Sequence, residues 1–152
     1  MARQRRLSVS PLRHGVSTIL VVDDYLDALQ VWDLYLQASG FKVVTAADGA
    51  TAMAKATTEN PDLIVLDLDL PDVSGAEVAR YLRARETTRH IPTIAVTGYS
   101  QAGRLDEARR SGFDLILIKP CDPEDLIASI RRLLDRDPAT DTATENATSP
   151  SR

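Results

Sequence analysis

Five short aliphatic runs punctuate the chain, near 18–22, 42–46, 62–66, 92–96 and 114–118. Runs of this length, bounded by turn formers, read as strands buried on both faces of a parallel sheet. Between them the apolar residues recur at helical spacing, which predicts helices near 25–38, 49–58, 75–85 and 101–111, and one more after Asp122. Ser39-Gly40, Asn60-Pro61 and Gly112 supply the stops. Asp122-Pro123-Glu124-Asp125 opens the last helix with a capping acid, a proline in the first turn and two further carboxylates.

Strand and helix alternating five times with short connections predict an α/β domain: a doubly wound five-stranded parallel sheet with helices on both faces. For five units the flavodoxin-like (βα)5 arrangement, strand order 2-1-3-4-5, is the expected topology. The domain should occupy residues 17–135. Residues 1–16 carry Arg3, Arg5, Arg6 and Arg13 and no acid, and are expected to be a disordered basic arm. Residues 136–152 are rich in Thr, Ala, Asp and Ser, with too few apolar groups to offset ordering entropy, and are expected to be a disordered tail. No output module could fold from that tail, so output should pass through a partner.

Composition changes this picture little. The formal net charge of −4 argues against nucleic acid as the main partner. No apolar run approaches the ~20 residues needed to span a bilayer, and the N-terminal arginines precede no hydrophobic signal region. Cys121 stands alone, which fits a reducing cytoplasm.

The strand ends carry the chemistry. The first ends on Asp23-Asp24, the third on Asp67, the fourth on Thr97 and the fifth on Lys119, all at the carboxyl edge where open α/β sheets bind ligands. Carboxylates ~5 Å apart at an effective dielectric of ~20 repel by about 3 kcal/mol per pair. An oxygen-only set without His or Cys selects a hard cation, and Mg²⁺ suits it. The plainer alternative is that Asp23 and Asp24 cap the first helix and Asp67 is a loop acid. Complementary groups at all four strand ends speak against it.

Val21-Val22-Asp23-Asp24, Leu66-Asp67-Leu68-Asp69-Leu70-Pro71-Asp72 with Gly75, Val96-Thr97-Gly98 and Ile118-Lys119-Pro120 together resemble the receiver domain of two-component response regulators. The likeness spans residues 18–134. It implies a stand-alone, chemotaxis-regulator-like receiver in which Asp67 accepts a phosphoryl group from a histidine kinase or histidine phosphotransfer protein. Asp23, Asp24, Asp67 and the Asp69 carbonyl would hold Mg²⁺, Thr97 would bond the phosphoryl group, and Lys119 would ion-pair with it. The protein would catalyse only its own Mg²⁺-dependent phosphorylation and dephosphorylation. The resemblance also suggests a cis Lys119-Pro120 bond, a downstream target protein, and a homodimer through the fourth helix, fifth strand and fifth helix.

Two positions depart from the family pattern. Gly98 replaces the usual Ala or Ser and leaves room beside the phosphoryl group, and Ile116 stands where a switch aromatic is usual, with Tyr99 as its substitute candidate. Two rival readings are a receiver-fold binding module that never takes phosphate, and a haloacid-dehalogenase-type phosphatase suggested by Asp67-Leu68-Asp69. The phosphatase class places that motif on its first strand, not its third.

Other features are plainer. Cys121 reads as a loop thiol, His14 and His90 as surface residues, and Arg104, Arg109 and Arg110 as a solvated face. The first helix is apolar nearly all round (Tyr25, Leu26, Ala28, Leu29, Val31, Trp32, Leu34, Tyr35 and Leu36) and has more than one face to hide. Its outward face is the expected dock for the phosphoryl donor.

Overall fold

The computed structural model describes residues 15–98 and 102–136, the side chains of 102–104 excepted. Along these the elements run β1 (Thr18–Val22), α1 (Leu26–Ala38), β2 (Lys42–Ala46), α2 (Gly49–Thr58), β3 (Leu63–Asp67), α3 (Gly75–Arg83), β4 (Thr93–Gly98), α4 (Ala102–Arg109), β5 (Leu115–Lys119) and α5 (Pro123–Leu134). The five strands form one parallel sheet in the order β2-β1-β3-β4-β5. This is the expected topology, with β1 and β3 central.

Alternation along the central strands divides the core. Ile19 and Val21 of β1, with Leu63 and Val65 of β3, face Leu29 and Leu36 of α1 and Leu126, Ile130 and Leu133 of α5. Leu20, Val22, Ile64 and Leu66 face the other way, onto Ala52 and Ala56 of α2 and Val78 and Leu82 of α3. Both faces of β1 and β3 are covered, which is why these strands read as unbroken aliphatic runs rather than alternating ones. Ala108 of α4 meets Leu68, Ala95, Phe113 and Ile116 in a third, smaller cluster.

Three strands end later than the aliphatic pattern indicates. β3 runs to Asp67, β4 to Gly98 and β5 to Lys119. Asp67, Thr97 and Lys119 therefore lie inside their strands, not just past them. Parallel pairing continues after the apolar run has stopped: Asp67 is in register with Val96, and Gly98 with Lys119. The backbone ladder, indifferent to side-chain polarity, sets the boundary. The basic arm apart from Gly15 and Val16, the tail after Arg136, and Tyr99 lie outside the described residues, as does His14.

At the amino edge of the sheet one side chain makes five hydrogen bonds. Arg83, at the end of α3, donates to the carbonyls of Gly112 (2.8 Å), Arg89 (2.6 Å) and Ile91 (2.9 Å), to the Thr93 hydroxyl (3.1 Å) and to Asp114 (2.7 Å). Asp114 also accepts the Thr93 amide at 2.8 Å. The guanidinium fork so joins α3, the start of β4 and the turn into β5, using geometry that a single ammonium cannot reproduce. Arg83→Ala should cost about 2 kcal/mol in urea unfolding. Arg83→Lys should recover only part of that loss; full recovery would mean that charge alone, not the fork, holds this edge.

Candidate functional site

At the opposite edge, the register of β1 with β3 pairs Val22 with Leu66 and brings the next residues, Asp23 and Asp67, side by side. Asp23 stays tied to the sheet because its amide donates to the Ala46 carbonyl at 3.1 Å. Both carboxylates are buried, at 4% exposure for Asp23 and 7% for Asp67, while Asp24 is exposed. Carboxylate oxygens of Asp23, Asp24 and Asp67 lie within 4.8 Å of one another, close enough to hold a metal ion together.

Lys119 closes the cluster from β5. Its Nζ stands 3.2 Å from Asp67 Oδ2 and 3.5 Å from Asp23 Oδ2, and the Lys119-Pro120 bond is cis. The remaining oxygens are held by backbone: Asp67 Oδ1 accepts the Asp69 amide at 3.1 Å, and Asp23 Oδ1 accepts the Tyr25 amide at 3.0 Å. Each buried carboxylate thus has one oxygen fixed by the turn that follows it and one turned to the ammonium. The helix-cap alternative for the acid pair fails here, since α1 takes Tyr25 as its N-cap and has no side-chain cap.

Burial pushes the Asp67 carboxyl above its ordinary value; the Asp69 amide and then Lys119 pull it down, Asp23 adds to the rise, and the net shift is upward. Burial alone would lower the Lys119 ammonium, but Asp67 and then Asp23 outweigh it and hold the ammonium above its ordinary value. Three carboxylates face one ammonium, so the cluster retains negative charge that a hard cation would offset. The all-oxygen donor set fits Mg²⁺.

Thr97 is buried at 1% exposure on the strand beside Asp67, and its hydroxyl lies 3.5 Å from the Gly98 carbonyl. Among the described residues, no heavy atom lies within 4 Å of where a Cβ on Gly98 would stand. Gly75 is the opposite case: a Cβ there would lie 2.4 Å from the Asp67 carbonyl oxygen and 2.7 Å from Leu68 Cα. Only glycine lets α3 start against the end of β3, where the Gly75 amide bonds the Leu68 carbonyl at 2.9 Å. Ile116 is half-buried in the cluster with Leu68, Ala95 and Ala108. Burial raises the Cys121 thiol, and Asp125 and Asp122 add to that, so this side chain is kept from the reactive thiolate form.

Asp23, Asp24, Asp67 and Lys119 are thus brought together, with Thr97 on the adjacent strand and Asp69 in the loop after β3. Asp72, in the same loop, has a structural bond that sequence reasoning missed: its carboxylate accepts the Gly49 and Ala50 amides at the start of α2, each at 2.8 Å. Nothing in local spacing could reveal a partner 23 residues away.

The response regulator receiver domain family matches residues 19–131. The chain is 36% identical over 118 residues to the polar-differentiation response regulator DivK of Brucella ovis, covering 78% of this chain and 95% of that protein. Among solved structures, a CheY-like receiver domain protein of Methanospirillum hungatei superposes with a TM-score of 0.74 at 30% identity, over 80% of this chain and 95% of the other. The receiver domain of a sensor histidine kinase from Pseudomonas aeruginosa superposes with a TM-score of 0.76 at 29% identity, over 80% and 100%. That structure carries a magnesium ion in its active-site cleft. The chain belongs to the response regulator receiver domains.

The charge imbalance has a thermodynamic consequence. A carboxyl held above its unfolded value lowers stability at neutral pH, and that cost fades as pH falls through the raised value. Asp67→Asn should therefore melt higher than the parent protein in the absence of divalent metal. Mg²⁺ at about ten times Kd should stabilise the parent by ~1.4 kcal/mol, about 5 °C for a domain of ~120 residues. Calorimetry with and without Mg²⁺ checks both; identical melting in all four conditions would count against a cation site.

Proposed function

We propose that the protein is a phosphoacceptor switch: Asp67 takes a phosphoryl group from the histidine of a kinase or phosphotransfer protein, and the modified receiver signals through a partner. The observation that carries this reading is the placement of Asp67. Its carboxylate is buried at the carboxyl edge of the sheet, with Oδ1 held by the Asp69 amide and Oδ2 facing Lys119. An oxygen whose partner is a side-chain cation, not a backbone amide, suits attack on phosphorus. As the new O–P bond forms, the P–N bond to the donor imidazole breaks, and the imidazole nitrogen leaves with the electron pair.

In this reading Lys119 moves from its carboxylate partners to the incoming phosphoryl oxygens, and the Thr97 hydroxyl donates to another. Asp23, Asp24, Asp67 and the Asp69 carbonyl would hold Mg²⁺, which would supply positive charge to offset that of the transferring group. The backbone bonds on Asp23 and Asp67 keep both carboxylates in place, so little reorganisation is needed at the moment of transfer. Ile116, packed under α4, has no hydroxyl and cannot swing as an aromatic would. The rival reading, a module that never takes phosphate, leaves Lys119 and the acid cluster without a task. Family membership removes the phosphatase. The location consistent with such a switch is the cytoplasm, and no helix among the described residues is long and apolar enough to cross a membrane.

Acetyl phosphate with Mg²⁺ should add one phosphoryl group to the protein, read by intact mass. Labelling should vanish in Asp67→Asn and on chelation. Undiminished labelling of Asp67→Asn would refute the assignment.

The donor dock is the outward face of α1. Leu29 and Leu36 are buried and Trp32 is packed against the core, but Leu26 is 63% exposed and Leu34 71%, with Val31 and Tyr35 also exposed. Val31, Leu34 and Tyr35 follow at i, i+3 and i+4 and form one stripe. Asp27 lies in the first turn of a helix whose last turn has no base, so the donor should offer an apolar surface with a basic rim. Leu34→Ser and Tyr35→Ser should slow transfer from the histidine donor about tenfold, the loss typical of a contact worth ~1.4 kcal/mol. Labelling by acetyl phosphate should persist; loss of both activities would make the stripe structural instead.

A further inference from the structure

The loop between β3 and α3, residues 68–74, is held at both ends and in its middle. At the start the Asp69 amide donates to Asp67 Oδ1, and at the end the Gly75 amide donates to the Leu68 carbonyl. In between, Asp72 reaches across to α2. Its Oδ1 accepts the amides of Gly49 at 2.8 Å and Val73 at 2.9 Å, and its Oδ2 accepts the Ala50 amide at 2.8 Å. Asp48 takes the next amide of that helix end, Thr51, at 2.7 Å. The opening turn of α2 is therefore capped twice, once by its own residue and once by the loop that follows Asp67.

An independent feature shows how closely the two segments abut. A Cβ on Gly49 would lie 2.3 Å from Val73 Cγ2 and 3.3 Å from Asp72 Oδ1. No side chain fits at Gly49 while the loop holds its place. The amides of Gly49 and then Ala50 keep the Asp72 carboxyl below its ordinary value, as expected of a carboxylate seated on helix amides.

We propose that Asp72 is a positioning residue for the metal site, fastening the β3–α3 loop to the first turn of α2 so that the Asp69 carbonyl is held in ligand position. This rests on the reading, given above, that Asp69 completes the Mg²⁺ ligands. Only residues 68–71 separate Asp67 from Asp72, one of them is Pro71 with its restricted φ, and Leu68 is buried. With Asp67 fixed in the sheet and Asp72 fixed on α2, the Asp69 peptide has little freedom to turn. Asp48 serves as the internal control, because its side chain caps the same helix end from within the α2 segment, on the Thr51 amide.

Mg²⁺ titrations of the full chain followed by amide NMR shifts test this, together with hydrogen exchange at the Asp69 amide in metal-free protein. Asp72→Ala should raise the Mg²⁺ Kd about tenfold, the low end for outer-shell support of a metal site, and speed exchange at Asp69. Asp48→Ala should change neither. Should Asp72→Ala fail to fold, Asp72→Asn replaces it: it keeps one acceptor oxygen and sets an NH2 group against the Ala50 amide, and the same two shifts in the same direction are expected. An unchanged Kd in the folded Asp72 variant would overturn the inference, as would equal weakening by Asp48→Ala, which would make Asp72 a helix cap only. If the parent protein itself binds no Mg²⁺, the metal reading falls and the inference with it. Normal parent binding with an unmoved variant removes the inference alone.

Discussion

Lys119 is the cation on which the carboxyl edge of this sheet depends. Two carboxylates, Asp23 and Asp67, are buried next to each other where neighbouring strands end, an arrangement that desolvation and mutual repulsion both oppose. The ammonium reaches both, at 3.5 and 3.2 Å, and because it comes from β5, two strands from β3, it can do so only when the 2-1-3-4-5 order is complete. Even then one ammonium opposes three acids. The remaining negative charge suits the cluster to a hard cation.

Rigidity is distributed to match. The central strands are covered on both faces, and Arg83 clamps the amino edge far from the acids, so the frame is held by contacts that take no part in the chemistry. At the carboxyl edge the fixed parts are backbone: the amides of Tyr25 and Asp69 on the two buried carboxylates, and the close approach permitted by Gly75. What is left open is small and local. The Thr97 hydroxyl lies 3.5 Å from the Gly98 carbonyl, and among the described residues no atom fills the place that a side chain at Gly98 would take.

The two departures from the usual receiver pattern acquire physical content here. Gly98 adds free space next to Thr97, whereas Ile116 is engaged with Ala108 beneath α4. Ile116 is a stiff, β-branched side chain in the place of an aromatic.

Much of this protein was determined by its sequence alone. Five aliphatic runs alternating with helical patterns sufficed for the fold class and strand order, because covered parallel strands leave an unmistakable composition. That Asp23-Asp24, Asp67, Thr97 and Lys119 gather at one edge was equally legible, since strand ends must meet there once the order is known. Only the tertiary structure decided the rest. The strand limits moved outward because neighbours, not side chains, extend the ladder. The face of α1 left outside, Leu34 rather than Leu36, depends on where the sheet lies and not on a helix that is apolar all round. The bonds of Asp72 to Gly49 and of Arg83 to Asp114 join segments 23 and 31 residues apart, and no local pattern encodes a contact whose partner is chosen by the packing of the whole.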